Sequence, residues 1–322
     1  MITKPPTCRN DSGIALLLVL WVLILLMTVI VSFSYLARTE LQAGYQFNKR
    51  LKEEMLLEGA INQAILETIY ATRNPDSEDA WQLNGTPLDY GTEEDGISII
   101  IRPEASKVDL NRSPDVILKG ILSSLNVNAE TSDIIVDSIL DWRDRDDLHR
   151  LNGAESDYYR SLERPYNCKN ADFDSIYELL LIRGVTRELF YGSEQNPGLR
   201  DFLTVYSSSG RIDMNTASKE VLLALPGMDQ TMAEEIIRRR EEKPFANMAE
   251  LKDVIGEIYA GVAPYISIGR TSTYEITARM KKSGYGISAT VDVIGQDYRI
   301  RYWRKPASTL KVNKGKNRNE DI

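Results

Sequence analysis

Reactive side chains are scarce in this chain of 322 residues. Cysteine occurs only at Cys8 and Cys168, and a membrane segment between them would put them in different compartments, which excludes an internal disulfide. Cys8 also lacks the small and apolar residues that precede a lipidated cysteine. Histidine occurs once, as His149 in a charged loop, and no serine or cysteine sits in a nucleophile motif. Acid–base and covalent catalysis therefore have no foothold, and the chain reads as non-enzymatic. No glycine-rich phosphate loop is present. Positive charge is in deficit: 39 Lys and Arg against 47 Asp and Glu leave a net charge of -8. That balance argues against a general nucleic-acid binder, because attraction to phosphate supplies most non-specific affinity. Basic residues crowd the C-terminal end from Arg299 to Arg318, which reads as a solvated edge and a disordered tail.

Charge is absent altogether from Ile14 to Phe33. About 20 residues at about 1.5 Å each give a helix of roughly 30 Å, enough to cross a bilayer's hydrocarbon core. A secretory signal has a shorter apolar region, of about 7–15 residues, and a small-x-small cleavage site. The segment Ser34-Tyr35-Leu36-Ala37-Arg38-Thr39-Glu40 offers only a poor site of that kind, so a retained membrane helix is expected. The short leader is expected in the cytoplasm and the bulk of the chain outside. Beyond Phe33, Leu41, Tyr45, Leu51, Met55, Ile61, Ile65 and Ile69 keep one stripe apolar. This predicts a single helix to about Arg73, where Asn74-Pro75-Asp76 breaks it.

The β-branched run 97–102, then 274–279, 286–293 and 298–303, read as strands, with a helix-rich middle from about 113 to 263. The fold class is therefore α+β: a long N-terminal helix and a small antiparallel sheet interrupted by a helical insertion. The insertion carries a weak repeat, Lys107-Val108-Asp109-Leu110-Asn111 and Arg211-Ile212-Asp213-Met214-Asn215, read as a structural strand-to-helix junction. Leu225-Pro226-Gly227-Met228 and the helix after it resemble a helix-hairpin-helix unit, and Ile182-Arg183-Gly184-Val185 a partial second one. DNA-binding hairpins offer backbone N–H groups to phosphate. Here Asp229 stands where a second glycine is expected, Glu234 and Glu235 follow, and Glu241-Glu242 offset Arg238-Arg239-Arg240. A packing or partner-binding hairpin is the expectation.

The acidic cluster is sharper. Asp141-Trp142-Arg143-Asp144-Arg145-Asp146-Asp147 leads into Asn152-Gly153-Ala154-Glu155-Ser156-Asp157. Alternating carboxylates, a glycine turn and a further acid suit a hard cation that takes six to eight oxygens. Asp144, Asp146 and Glu155 are the expected calcium ligands, with Asp157 next; the spacing is not that of an EF-hand. The competing reading is a solvated loop paired with Arg143, Arg145 and Arg150.

Together these residues resemble a known family. Ser12-Gly13 before an apolar helix looks like the processing site of type IV prepilins and pseudopilins. By that resemblance a prepilin peptidase cuts after Gly13, and Ile14 becomes the N-methylated first residue. Asp141-Trp142-x-Asp144-x-Asp146, Gly153-Ala154-Glu155, Tyr158-Tyr159, Arg211-Ile212-Asp213-Met214-Asn215-Thr216-Ala217 and Leu225-Pro226-Gly227-Met228 resemble the protein K family of type II secretion, the large minor pseudopilins. The resemblance spans nearly the whole chain and implies a pilin-like fold. The segments are then a leader (1–13), the transmembrane part of the helix (14–33), and periplasmic helix with first strands (34–110). They continue with the helical insertion (111–266), remaining strands (267–305) and basic tail (306–322). It implies a calcium site in the Asp141–Asp157 region and partners of three kinds: I- and J-type minor pseudopilins, prepilin peptidase and the inner-membrane secretion platform. The implied location is the inner membrane, single-pass and mostly periplasmic, and the pseudopilus tip after assembly. Most members carry Glu as the fifth mature residue, pairing with a neighbour's N-terminal amine; counting from Ile14, this chain has Leu18. An unpaired charge in the membrane is costly, so leucine suits a subunit with no neighbour above it. Two other readings stay open: a minor pilin of a type IV pilus, and a membrane-anchored helix-hairpin-helix DNA-uptake protein.

Overall fold

The computed structural model describes residues 12–75, 77–92, 96–193, 196–207, 209–269 and 271–305, with side chains from Leu16 onward. Most of the expected leader and the whole basic tail lie outside the described residues. In chain order the elements begin with α1 (Ser12–Arg73), β1 (Leu88–Tyr90) and β2 (Ile97–Pro103). The insertion opens with β3 (Val108–Asp109), α2 (Asp115–Ser124), α3 (Ala129–Arg143), α4 (Ser156–Arg160), α5 (Arg187–Tyr191) and β4 (Leu203–Thr204). It goes on with β5 (Ile212–Asp213), α6 (Lys219–Leu223), α7 (Gln230–Glu242), α8 (Met248–Ile255), α9 (Tyr259–Val262) and β6 (Ile266–Ser267). The chain closes with β7 (Thr273–Met280), β8 (Gly286–Ile294) and β9 (Asp297–Arg304).

The chain divides at Leu56 and Leu57 into two compact units. The first contains the apolar part of α1, whose most apolar window reaches a mean hydropathy of 3.0 with no share of it buried. No buried partner covers those side chains, which is what a helix long and apolar enough to span a bilayer requires. In the second unit the rest of α1 buries Leu57, Ala60, Ile61, Ala64, Ile65, Thr68 and Ala71, spaced three and four apart along one stripe. The helix ends at Arg73 as expected: Asn74 still donates its N–H to Tyr70 O at 2.9 Å, and Pro75 cannot continue the ladder.

The main sheet has order β1-β2-β7-β8-β9 and is antiparallel throughout. Its register aligns Ile97, Ile99 and Ile101 with Met280, Ala278 and Ile276, and these in turn with Ile287 and Ala289. Because side chains alternate along a strand, one whole face becomes apolar and buried. Lys305 Nζ donates to Glu58 Oε1 at 3.0 Å, tying the chain after β9 to the α1 stripe.

The insertion leaves this sheet after β2 and returns at β7. It has its own continuous core, running from Val108 and Leu110 through Trp142, Tyr159 and Phe190 to Leu251 and Ile266. Asn128, Ser218, Asp229 and Asn247 each cap a helix by accepting a backbone N–H, so α3, α6, α7 and α8 start where their sequences say. The two halves meet at Gly120 of α2, where any Cβ would collide with the Ala224 carbonyl after α6. Glycine is required there by close backbone approach.

Candidate functional site

The acidic loop starts where α3 stops. Asp141 is fully buried on the last turn and holds Arg150, whose Nη1 donates to Asp141 Oδ1 at 2.7 Å while its backbone N–H approaches both carboxylate oxygens at 3.3 Å. A Cβ on Gly153 would collide with Asp141 Oδ2, so the glycine lets the returning chain lie against this carboxylate. Arg183 Nη1 donates to Gly153 O at 2.9 Å and its guanidinium sits 4.9 Å from the Tyr158 ring centre. Trp142, Tyr159 and Tyr166 close the back of the loop, with centroids of Trp142 and Tyr159 5.4 Å apart and those of Tyr159 and Tyr166 5.1 Å apart. An aromatic floor of this kind fixes the loop without satisfying its oxygens.

Those oxygens are the informative part. Asp144 Oδ1, both Glu155 carboxylate oxygens and Asn170 Oδ1 are buried and have no hydrogen-bond partner. Burial first, then the charges of Asp141, Asp144 and Asp147, raises the Glu155 pKa. A buried carboxylate left unpaired is costly, and an acidic neighbourhood makes it more so. Asn170 is one of the non-glycine residues with positive φ, at 50°, and its Nδ2 donates to Asp146 O at 3.1 Å and Asp147 Oδ1 at 2.9 Å. That orientation turns its amide oxygen away from those acceptors.

The structure treats the four expected ligands differently. Asp144 and Glu155 carry the orphaned oxygens. Asp146 instead accepts the Leu148 N–H at 2.9 Å, and Asp157 is exposed, accepting the Tyr158 N–H at 2.7 Å and pairing with His149 at 2.9 Å. Their carboxylates are spent on local turns, a use that alternation in sequence does not distinguish from ligation. Asn170, whose buried amide oxygen is likewise unpartnered, lies far along the chain and carries no charge to flag it in the sequence. Among the described residues no three carboxylate, histidine or thiol groups are placed to hold a metal ion by themselves. Cys168 is buried behind the loop, and burial pushes its thiol up to about 12, which keeps it protonated and structural.

The hairpin resolves in a second way. Gly227 has φ +76° at the turn before α7, and Asp229 accepts the Met232 N–H at 2.8 Å as the helix cap. The acid that stands in the phosphate position is thus a cap. Arg238 pairs with Glu235 and Glu242, Arg239 pairs with Glu235, and Arg240 Nη1 donates inward to Met214 O at 2.9 Å.

A long N-terminal helix with an apolar first part, a five-stranded antiparallel sheet and a helical insertion with a hairpin between helices make an α+β fold with an added helical domain. A family model described as type II secretion system protein K matches residues 102–196, and a helix-hairpin-helix motif model matches residues 207–256. The chain is similar to type II secretion system protein K of Pseudomonas aeruginosa, 27% identical over 261 residues covering 74% of each chain. Type II secretion system protein K of Aeromonas hydrophila is 27% identical over 208 residues, 58% of this chain and 62% of the relative. A protein of Escherichia coli K12 assigned to the same protein K is 26% identical over 197 residues, 56% of this chain and 60% of the relative. The match thus spans about 60% of the length of the latter two relatives. A chain from the crystal structure of the GspK-GspI-GspJ complex of the enterotoxigenic Escherichia coli type 2 secretion system shares the fold. Its TM-score is 0.60 at 16% identity, over 84% of this chain and 100% of that one. The chain is thus similar to type II secretion system protein K in sequence, over 56–74% of its length, and in fold.

Proposed function

We propose that this protein is a minor pseudopilin that caps or initiates the type II secretion pseudopilus, an assembly role without catalysis, in protein secretion across the outer membrane. The observation that carries this reading is the bulk of the insertion between β2 and β7, a folded domain with its own core that a tightly stacked shaft has no room for. Leu18 supports the same position, since a first subunit has no neighbour's amine to pair with. The apolar helix anchors the subunit in the inner membrane, with the bulk in the periplasm, until I- and J-type pseudopilins pack against it. Cleavage after Gly13 and methylation of Ile14 belong to this reading.

Calcium suits the orphaned oxygens of Asp144, Glu155 and Asn170: a hard cation takes carboxylate and amide oxygens alike and removes the cost of burying them unpaired. When bound it would supply charge neutralisation and cross-link the segment after α3 to the segment before Phe173. Asp141 holds Arg150 and Gly153 in place around it.

The test is mass spectrometry of the mature N-terminus from membranes, together with copurification with I- and J-type pseudopilins. A methylated Ile14 and a stable ternary complex are expected. An intact leader, or a chain that fails to bind either partner, would sink the reading. Salt-sensitive binding to duplex DNA in place of that complex would favour a DNA-uptake protein.

A further inference from the structure

Outside the acidic loop, a cleft of about 580 Å³ opens between the outer face of the main sheet and the insertion. In a chain of net charge -8, its walls carry Arg102, Lys107, Arg200, Arg279 and Arg304. Two carboxylates share the space. Asp201 lies 3.7 Å from Arg200, and Glu275 accepts from Lys107 Nζ at 2.7 Å and lies 3.4 Å from Arg304 Nη2. Arg304 Nε is further tied to Ser288 Oγ at 3.1 Å. The guanidiniums of Arg102 and Arg279, unlike their strand backbones, form no ion pair or hydrogen bond with any described residue. Crowding by Lys107 first, then by Arg304 and Arg102, holds the Glu275 carboxyl down at about 2.

The sheet register explains why these groups meet. Arg102 pairs with Glu275 across β2 and β7, Thr277 with Ser288 and Arg279 with Gly286 across β7 and β8, all on the face opposite Ile99, Ile101, Ile276 and Ala278. Gly286 has no side chain to fill the floor beside Arg279. The cleft therefore offers two uncommitted guanidiniums, hydroxyls from Thr277 and Ser288, and carboxylate acceptors. A compact phosphate dianion would meet Glu275 as well as the arginines. A peptide carrying acidic side chains matches both kinds of group: guanidinium forks take carboxylates bidentately, while the carboxylates and hydroxyls receive backbone N–H groups.

We propose that this cleft, with Arg102 and Arg279 as its anchors, binds an acidic peptide segment of a partner protein. Neither calcium binding nor a tip position is required for it. Its volume falls within the range of about 300–1,000 Å³ usual for ligand sites, room for a few residues.

The experiment is fluorescence anisotropy with the full chain in a zwitterionic detergent, using labelled hexaglutamate as probe and hexaglutamine as control. Hexaglutamate is expected to bind and hexaglutamine not, with affinity falling as NaCl rises from about 50 to 300 mM. Arg102→Gln with Arg279→Gln is expected to weaken binding at least about tenfold without moving the melting temperature. Thr277→Glu, which adds charge to the floor and removes no arginine, is expected to weaken it similarly. Arg211→Gln with Lys243→Gln, exposed and outside the cleft, is expected to leave it unchanged. Absent binding, equal binding of hexaglutamine, or equal loss in the control pair would overturn the proposal. Displacement by inorganic phosphate at the probe's own concentration would reassign the cleft to a free oxyanion and overturn it too.

Discussion

In the first half of the insertion, Asn111 Nδ2 donates to Phe173 O at 3.0 Å and its Oδ1 accepts the Phe173 N–H at 2.7 Å. In the second half, Asn215 does the same with Phe245 at 3.0 and 2.9 Å. The correspondence extends outward. Asp109 and Asp213 each accept backbone N–H groups at the turn after a two-residue strand, and each strand pairs in parallel with the last strand of its half. Arg143 at the end of α3 donates to Leu110 O, as Arg240 near the end of α7 donates to Met214 O. The weak repeat in sequence is a repeated unit in space. The halves diverge between the helix end and the Phe that closes the unit. In the second half, residues 241–244 suffice; in the first, residues 144–172 intervene and carry the whole acidic loop. The candidate metal site is thus an addition to a unit whose other copy folds without it, which is how a site can arise with little disturbance to a packed core.

This comparison can be broken most severely at its seam. Gly120→Ala drives a methyl into the Ala224 carbonyl, and a loss of about 3 kcal/mol in urea unfolding is expected. A loss near zero would mean the halves do not pack on each other as described.

The next effect separates the halves. Calcium at about 100 times its dissociation constant should stabilise the protein by about 2.7 kcal/mol, and EGTA should remove this. Glu155→Gln should abolish the difference. The pH dependence has a definite sign. Without metal, the raised Glu155 pKa means that the native state holds its proton longer than the unfolded chain does. Stability contributed by this group therefore falls as pH rises above the ordinary carboxylate value of 4.5 toward the raised one. Bound calcium takes the proton's place, so the decline should vanish with metal. A melting temperature identical in calcium and EGTA across this window would remove calcium from the first half.

Asn111→Ala and Asn215→Ala each delete a reciprocal pair of hydrogen bonds and should cost about 2 kcal/mol apiece. Comparable losses in urea melts would sharpen the equivalence, and a large inequality would break it. The smallest effect concerns the two hairpins. Asn126 at φ 60° occupies the turn before α3 as Gly227 at φ 76° occupies the turn before α7. Asn126→Gly should change stability by under about 1 kcal/mol, and Gly227→Asn should cost about 1 kcal/mol. A loss several times larger at Gly227 would show that the turns are not counterparts.

Much of the fold was legible because its signals are local. A charge-free run, a stripe at helical spacing and a proline stop describe α1 to its last residue. β-Branched alternation describes β2, β7 and β8. The repeat was legible as a motif, and so was the partial second hairpin, where Gly184 at φ 87° precedes the Thr186 cap of α5 as Gly227 precedes the Asp229 cap of α7. A third such turn, at Asn126 before α3, was hidden because asparagine stands in for glycine. At the acidic loop, composition singles out Asp144, Asp146, Glu155 and Asp157 alike, and in space only Asp144 and Glu155 among them keep buried oxygens without a hydrogen-bond partner. Asp146 and Asp157 look the same in sequence, yet a turn and a histidine take them up.

The sequence alone determined the long apolar helix, the strands, the repeated junction and the resemblance to protein K, because each depends on neighbours a few residues apart or on ordered motifs. Which oxygens stay unpaired was decided in three dimensions, where Asn170 returns to α3 and Gly153 lets the chain close on Asp141. The same holds for the cationic cleft. Arg102, Arg200, Arg279 and Arg304 are scattered over two hundred positions and become one surface only when strand register and the docking of the insertion bring them together. Charge acts through distance in space, and no spacing along the chain encodes that distance.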